Sequence, residues 1–179
     1  MRTLLIAMPL LVVATVGAGS TFVKVRRDLA GQRAAIAAEW SDVDQALQQR
    51  AALIGNLADR GRELAPLPAE VLKDIADAQA VVIVGPAPQD KVQANDRLSH
   101  ALAQLLVAAE NYPRLRSNPE FLRIQDEIKT SEDRMAVARL KYNDSLEHYN
   151  ARIQSFPHNL VARLSGFGRN DAYFPTEHF

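Results

Sequence analysis

The sequence predicts an all-α protein: a single N-terminal transmembrane helix followed by an antiparallel up-down four-helix bundle with two long and two shorter helices. Three observations predict it. Residues 4–23 carry no charge, and at about 1.5 Å of rise per residue such a run crosses a hydrocarbon core of about 30 Å. Beyond it, apolar residues recur three and four apart in four stretches, the period of a helix that buries one face. Those stretches are joined by short, proline-bearing breaks, and short connections make consecutive helices antiparallel neighbours. Residues 81–84 (VVIV) form the only strand-like run, too short and isolated to build a sheet.

The N-terminal run is flanked by Arg2 on one side and by Lys24, Arg26 and Arg27 on the other. We read residues 1–26 as an uncleaved anchor, because the apolar run has spanning length and basic residues follow it directly. The alternative is a secretory signal peptide with its apolar core over residues 4–13 and small residues at Val16-Gly17-Ala18 for cleavage. Arg2 and the terminal amine nearly balance the cations that follow, so charge assigns the bundle to neither side of the membrane.

The first bundle helix is predicted over residues 27–64. Ile36, Trp40, Val43, Leu47, Arg50, Ile54, Leu57, Gly61 and Leu64 form its stripe, and Pro66 and Pro68 stop it, since proline lacks the amide donor that a continuing helix needs. The second begins at Pro68 and ends at Gly85, before a turn enforced by Pro86 and Pro88. The third covers residues 90–110 with Val92, Leu98, Leu102, Leu105 and Ala109 on one side, and Pro113 ends it. The fourth opens with Asn118 as N-cap, Pro119 at the first position and Glu120 against the helix dipole. Its stripe is Phe121, Gln125, Ile128, Glu132, Met135, Arg139, Tyr142, Leu146, Tyr149, Ile153 and Phe156, and Pro157 closes it. The bundle thus covers residues 27–157, and residues 158–179 are an aromatic tail.

Composition excludes several classes of function. Lys+Arg and Asp+Glu both total 21 in a chain of 179 residues, which leaves no basic footprint for nucleic acid. There is no cysteine, hence no disulfide, thiolate metal site, cysteine nucleophile or lipidation cysteine. His100, His148, His158 and His178 make no HxxxH pair and no Glu-x-x-His pair of a di-iron bundle. No phosphate loop, G-x-S-x-G elbow or HExxH is present. The sequence therefore predicts no catalytic, cofactor-binding or metal-binding residue.

Two sets of residues stand out as structural or partner-binding candidates. Gln125, Glu132 and Arg139 recur every seven residues at otherwise apolar stripe positions, as Arg50 does on the first helix. If Trp40 lies near Tyr142 or Asn143 in an antiparallel pair, Arg50 falls near Glu132. The plainer reading of an Arg50–Glu132 pair is a polar layer that fixes helix register; the sharper one is a buried site for a ligand or proton. The second set is Tyr142, Asn143, Tyr149 and Asn150, read first as core packing and otherwise as a partner-binding face. Trp40, Tyr142 and Tyr149 are the expected structural anchors. In the tail, Leu160, Val161, Leu164 and Phe167 with Arg163 and Arg169 either cover the end of the bundle, the reading we favour, or sit at lipid headgroup level.

Three blocks carry a family resemblance: EWSDVDQALQQRAALIGNL at residues 39–57, ENYPRLRSNPEF at 110–121, and ARLKYNDSLEHYNARIQSFPHNLVARLSGF at 138–167 with Tyr173-Phe174. Together they resemble the LemA family over essentially the whole chain after the anchor. The third block is the most specific, with two Tyr-Asn pairs seven apart followed by Phe-Pro. The chain departs at Gly55, where this family usually has proline, and in the segment that follows, which usually has more charged and aromatic residues than ADRGRELAPLPAE. The resemblance implies one N-terminal membrane helix and a helical bundle, and no reaction. The expected function is a membrane-anchored, non-catalytic interaction or scaffold module at the bacterial cell envelope. Its expected partners are membrane lipid, through residues 4–23, and an envelope or membrane protein. The alternatives are a small-ligand or sensor bundle using the polar layer, and a secreted soluble bundle if the N-terminus is cleaved.

Overall fold

The structure is a computed structural model that describes the backbone of residues 2–174 and the side chains of residues 17–174 apart from Ala18. The described residues are all-helical: α1 (Arg2–Leu64), α2 (Ala69–Val84), α3 (Pro88–Ala109), α4 (Pro113–Arg116), α5 (Pro119–Gln154) and α6 (His158–Ser165). Among them no helix is long and apolar enough to cross a membrane. The expected transmembrane run, residues 4–23, lies for the most part outside the residues whose side chains are described.

Helix ends fall where local chemistry places them. Asn118 Oδ1 accepts hydrogen bonds from the amides of Glu120 and Phe121, both at 3.0 Å, satisfying two amides that have no partner within the helix. The Gly85 amide closes α2 on Val81 O at 2.8 Å. Pro88, expected to enforce a turn, instead opens α3, where its fixed φ suits the first turn and its missing donor costs nothing. Residues 27–64 do not start a new helix but continue α1, since no proline interrupts residues 24–38. Two short helices were not expected. Pro113 opens α4 as well as ending α3. The tail forms α6, which stops at Gly166 with φ 73°, a left-handed position that glycine adopts without a Cβ clash.

The chain divides into two compact units, each taking one part of α1 and one part of α5. The unit of Glu39–Tyr142 with Ala172–Phe179 is a helical bundle. Leu47, Ile54 and Leu57 of α1, Ile75 and Val82 of α2, Leu98 and Leu105 of α3 and Phe121, Ile128 and Met135 of α5 are its core, all buried. Its polar contacts record the chain directions. Asp44–Lys91 and Arg50–Asn95 advance together along α1 and α3, whereas Arg60–Glu120 and Arg50–Glu132 run oppositely along α1 and α5. The unit of Met1–Ala38 with Asn143–Asp171 buries Val25, Leu29 and Ile36 with Leu146, Tyr149, Val161 and Ala162.

The buried face of α5 is rotated from the expected stripe. Ile124 and Ser131 are buried in place of Gln125 and Glu132. A serine is the easier residue to bury, because its hydroxyl bonds back to Ile128 O at 2.6 Å, while a carboxylate needs a full counter-charge. Leu64 and Phe156, placed on the stripes from sequence, are exposed.

Gly55 and Gly61, both in α1, predict opposite outcomes. A Cβ at Gly55 would meet the Gln79 amide group at 2.7 Å, the movable end of a half-buried side chain beside an open groove. A Cβ at Gly61 would meet Leu67 Cδ1 at 2.6 Å, and Leu67 is itself buried. Alanine gains about 0.8–1 kcal/mol over glycine within a helix, so Gly55→Ala is expected to raise the urea midpoint. Gly61→Ala is expected to lower it, by overpacking that costs about 1–3 kcal/mol.

Candidate functional site

Arg50 is the most deeply buried charged residue of the bundle unit, 1% exposed. Its Nη1 donates to Asn95 Oδ1 of α3 at 2.9 Å, and its Nη2 lies 3.7 Å from Glu132 Oε1 of α5. Burial pushes the guanidinium below its ordinary value, and the Glu132 carboxylate opposes that shift. Glu132 is not buried with its partner: its side chain is 59% exposed. The buried polar centre is therefore Arg50 with Asn95, and Glu132 stands at the rim. Asn95 was missed from sequence. Its signal was the one that identified Arg50: a polar residue three positions before Leu98, on the side of its helix that is buried.

A second cluster joins distant parts of the same unit. Trp40 and Tyr142 rings lie 5.5 Å apart, and Phe174 from the tail lies 5.9 Å from each of them. Phe174 stacks on Trp40 at 23° and meets Tyr142 edge-on at 82°, geometries that aromatic quadrupoles favour. The Arg139 guanidinium sits 5.1 Å from the Phe174 ring centroid, a cation–π contact. Burial pushes the Tyr142 hydroxyl above its ordinary value. Arg139 thus faces an aromatic ring, where sequence had assigned it to the Glu132 polar layer.

In the other unit, Tyr149 and Asn150 hold the tail. Tyr149 donates to Gly168 O at 2.9 Å. Asn150 Nδ2 donates to Asn170 O at 2.7 Å while its Oδ1 accepts from the Asn170 amide at 2.9 Å. Burial raises the Tyr149 hydroxyl, against an opposing pull from Arg33. Asn143 is half-buried. The sequence candidates therefore fall at separate places: Trp40 with Tyr142, Arg50 with Glu132, and Tyr149 and Asn150 on the tail.

Open grooves lie elsewhere. One of about 390 Å³ between α2 and α3 is lined by Asp74, Asp77, Arg97 and His100 among others. One of about 160 Å³ between α1 and α2 includes Gly55 and Gln79. Neither is lined by Arg50 or Glu132. Among the described residues no group of three or more His, Asp or Glu is placed to hold a metal ion.

These features define an all-helical bundle protein in which the singled-out polar and aromatic side chains bond to one another and to the tail. Residues 39–178 match the LemA family, and the chain belongs to that family. It is also similar to magnetosome proteins MamQ 1 and MamQ 2 of Paramagnetospirillum magneticum, 32% identical in each case over 81 residues, which is 45% of this chain and 29% of either relative. Magnetosome protein MamQ of Magnetospirillum gryphiswaldense is 29% identical over 85 residues, 48% of this chain and 31% of the relative. The match thus spans less than a third of the length of these curated relatives.

Proposed function

We propose that the chain is a single-pass membrane protein whose helical bundle acts without catalysis, as an interaction or scaffold module at the bacterial cell envelope. The observation that carries this reading is how the candidate residues are used. Arg50 bonds to Asn95, Trp40 and Tyr142 pack with Phe174, and Tyr149 and Asn150 bond to tail backbone. Each such contact holds the fold in place and presents nothing to a substrate. The uncharged run of residues 4–23 supports anchoring. Relatives named as magnetosome proteins fit a part in a cell structure better than turnover of a small molecule.

The test is protease digestion of a C-terminal tag in intact, osmotically opened and lysed cells, with size read on a gel. The expected result is a full-length chain in the membrane fraction whose tag becomes digestible when the envelope is opened. A chain shortened by about 18 residues, as cleavage at the small-residue site would leave, and released from membranes overturns the anchor. A full-length membrane chain protected until lysis puts the bundle on the cytoplasmic face and redirects the partner search there.

A further inference from the structure

The unit built from Met1–Ala38 and Asn143–Asp171 has a surface whose charge and apolar exposure its internal packing does not explain. Helix α6 buries Val161 and Ala162 yet leaves Leu160 53% and Leu164 78% exposed, and the adjacent Phe156 is 79% exposed. Exposed leucines four apart share one side of a helix, so α6 has one apolar side against its own unit and a second against nothing within it.

The segments of α1 and α5–α6 that meet at Asp28 are predominantly basic. Residues 24–33 and 152–164 contain Lys24, Arg26, Arg27, Arg33, Arg152 and Arg163 against one acid, Asp28. That acid is already engaged, 3.6 Å from both Arg152 Nε and His158 Nε2. Lys24, Arg27, Arg152 and His158 line an open groove of about 780 Å³ with Val25 and Ala35 among its apolar residues. Position along α1 supplies the second argument. Lys24 directly follows the uncharged run of residues 4–23, and Asp28, which meets the start of α6, is one helical turn further, about 6 Å.

We propose that this face lies on the headgroups of an anionic phospholipid leaflet, with the cations around the groove on lipid phosphates and Phe156, Leu160 and Leu164 at the acyl boundary. The proposal rests on the anchor reading above, because the anchor brings this face to the bilayer. A membrane surface fits both features at once: basic side chains reach phosphates while their stems and the apolar residues stay in the interface. An apolar protein partner would match the leucines and leave the cations unanswered.

The absence of cysteine from the whole chain allows a clean test. Single variants Leu160→Cys, Leu164→Cys, Val107→Cys and Val13→Cys of the full chain are spin-labelled and placed in nanodiscs of phosphatidylcholine with or without phosphatidylglycerol. Collisions with oxygen and with a water-soluble nickel chelate report depth. Labels at 160 and 164 are expected to show several-fold less nickel collision than the label at exposed Val107, with oxygen access retained, in phosphatidylglycerol discs. That protection should weaken in pure phosphatidylcholine and in the K24Q/R27Q background, which leaves the Asp28–Arg152 pair intact. Labels at 160 and 164 as wet as the one at 107, while the label at 13 is lipid-buried, overturn this proposal and leave the anchor standing. Protection equal in both lipids overturns the anionic requirement, and shielding from both relaxers shows a protein surface or second copy instead. A wet label at 13 overturns the anchor and the proposal together.

Discussion

Asn95→Leu is expected to destabilise the protein by about 2–3 kcal/mol, the value of a hydrogen bond to a buried charged group plus the cost of leaving it unmet. Glu132→Gln should cost less than about 1 kcal/mol. The asymmetry follows from burial. Asn95 is 2% exposed and meets Arg50 at hydrogen-bond distance, whereas Glu132 is 59% exposed and stands 3.7 Å away, where solvent screens the pair. Arg50 Nε is already buried without a hydrogen-bond partner among the described residues, so the guanidinium has little tolerance for a further loss. The double variant Arg50→Met/Asn95→Leu should recover most of the stability, since a buried polar pair replaced by apolar residues of similar volume is often neutral or better. Urea unfolding of the four proteins checks this. Equal losses for Asn95→Leu and Glu132→Gln would make Glu132 as strong a partner of Arg50 as Asn95 and refute the assignment.

Phe174→Ala is expected to cost about 3 kcal/mol, the lower part of the range for truncating a buried phenylalanine. Phe174 is 3% exposed and is the ring through which the tail enters the bundle unit, stacked on Trp40 and edge-on to Tyr142. The protein has one tryptophan, so emission reports this cluster alone. The variant should show a red-shifted, more quenchable Trp40 in the folded state, together with a lower melting temperature. Unchanged emission would mean that Phe174 does not sit on Trp40 in solution.

The helix ends were the most legible part of the sequence. Prolines 66, 68 and 113 and the Asn118 cap act through backbone donors and dihedrals that need no tertiary context. From sequence the Trp40 register is only a supposition, near Tyr142 or Asn143, from which the Arg50–Glu132 pairing follows; the Trp40 and Tyr142 rings lie 5.5 Å apart and Arg50 lies 3.7 Å from Glu132. Phase around α5 was not legible. Positions 124 and 125, like 131 and 132, both satisfy three-and-four spacing, and only the packed neighbours decide that Ser131 goes in and Glu132 stays out. Nor was the return of the tail, because Tyr149 and Asn150 meet it through backbone atoms of Gly168 and Asn170. A backbone carbonyl has no sequence signature. Asn95 carried the same signal as Arg50, a polar residue in step with the apolar Leu98, and was passed over because a small polar residue there resembles surface.

Asn150 grips both the amide and the carbonyl of Asn170, twenty positions later, a hold on the tail made through its backbone. Proline at position 170 should therefore fail, because it deletes the amide that donates to Asn150. At position 150 even the near-isosteric aspartate fails, for it has no hydrogen to offer the carbonyl. The constraint on where residue 170 docks is thus written in the last turns of α5, twenty positions before it.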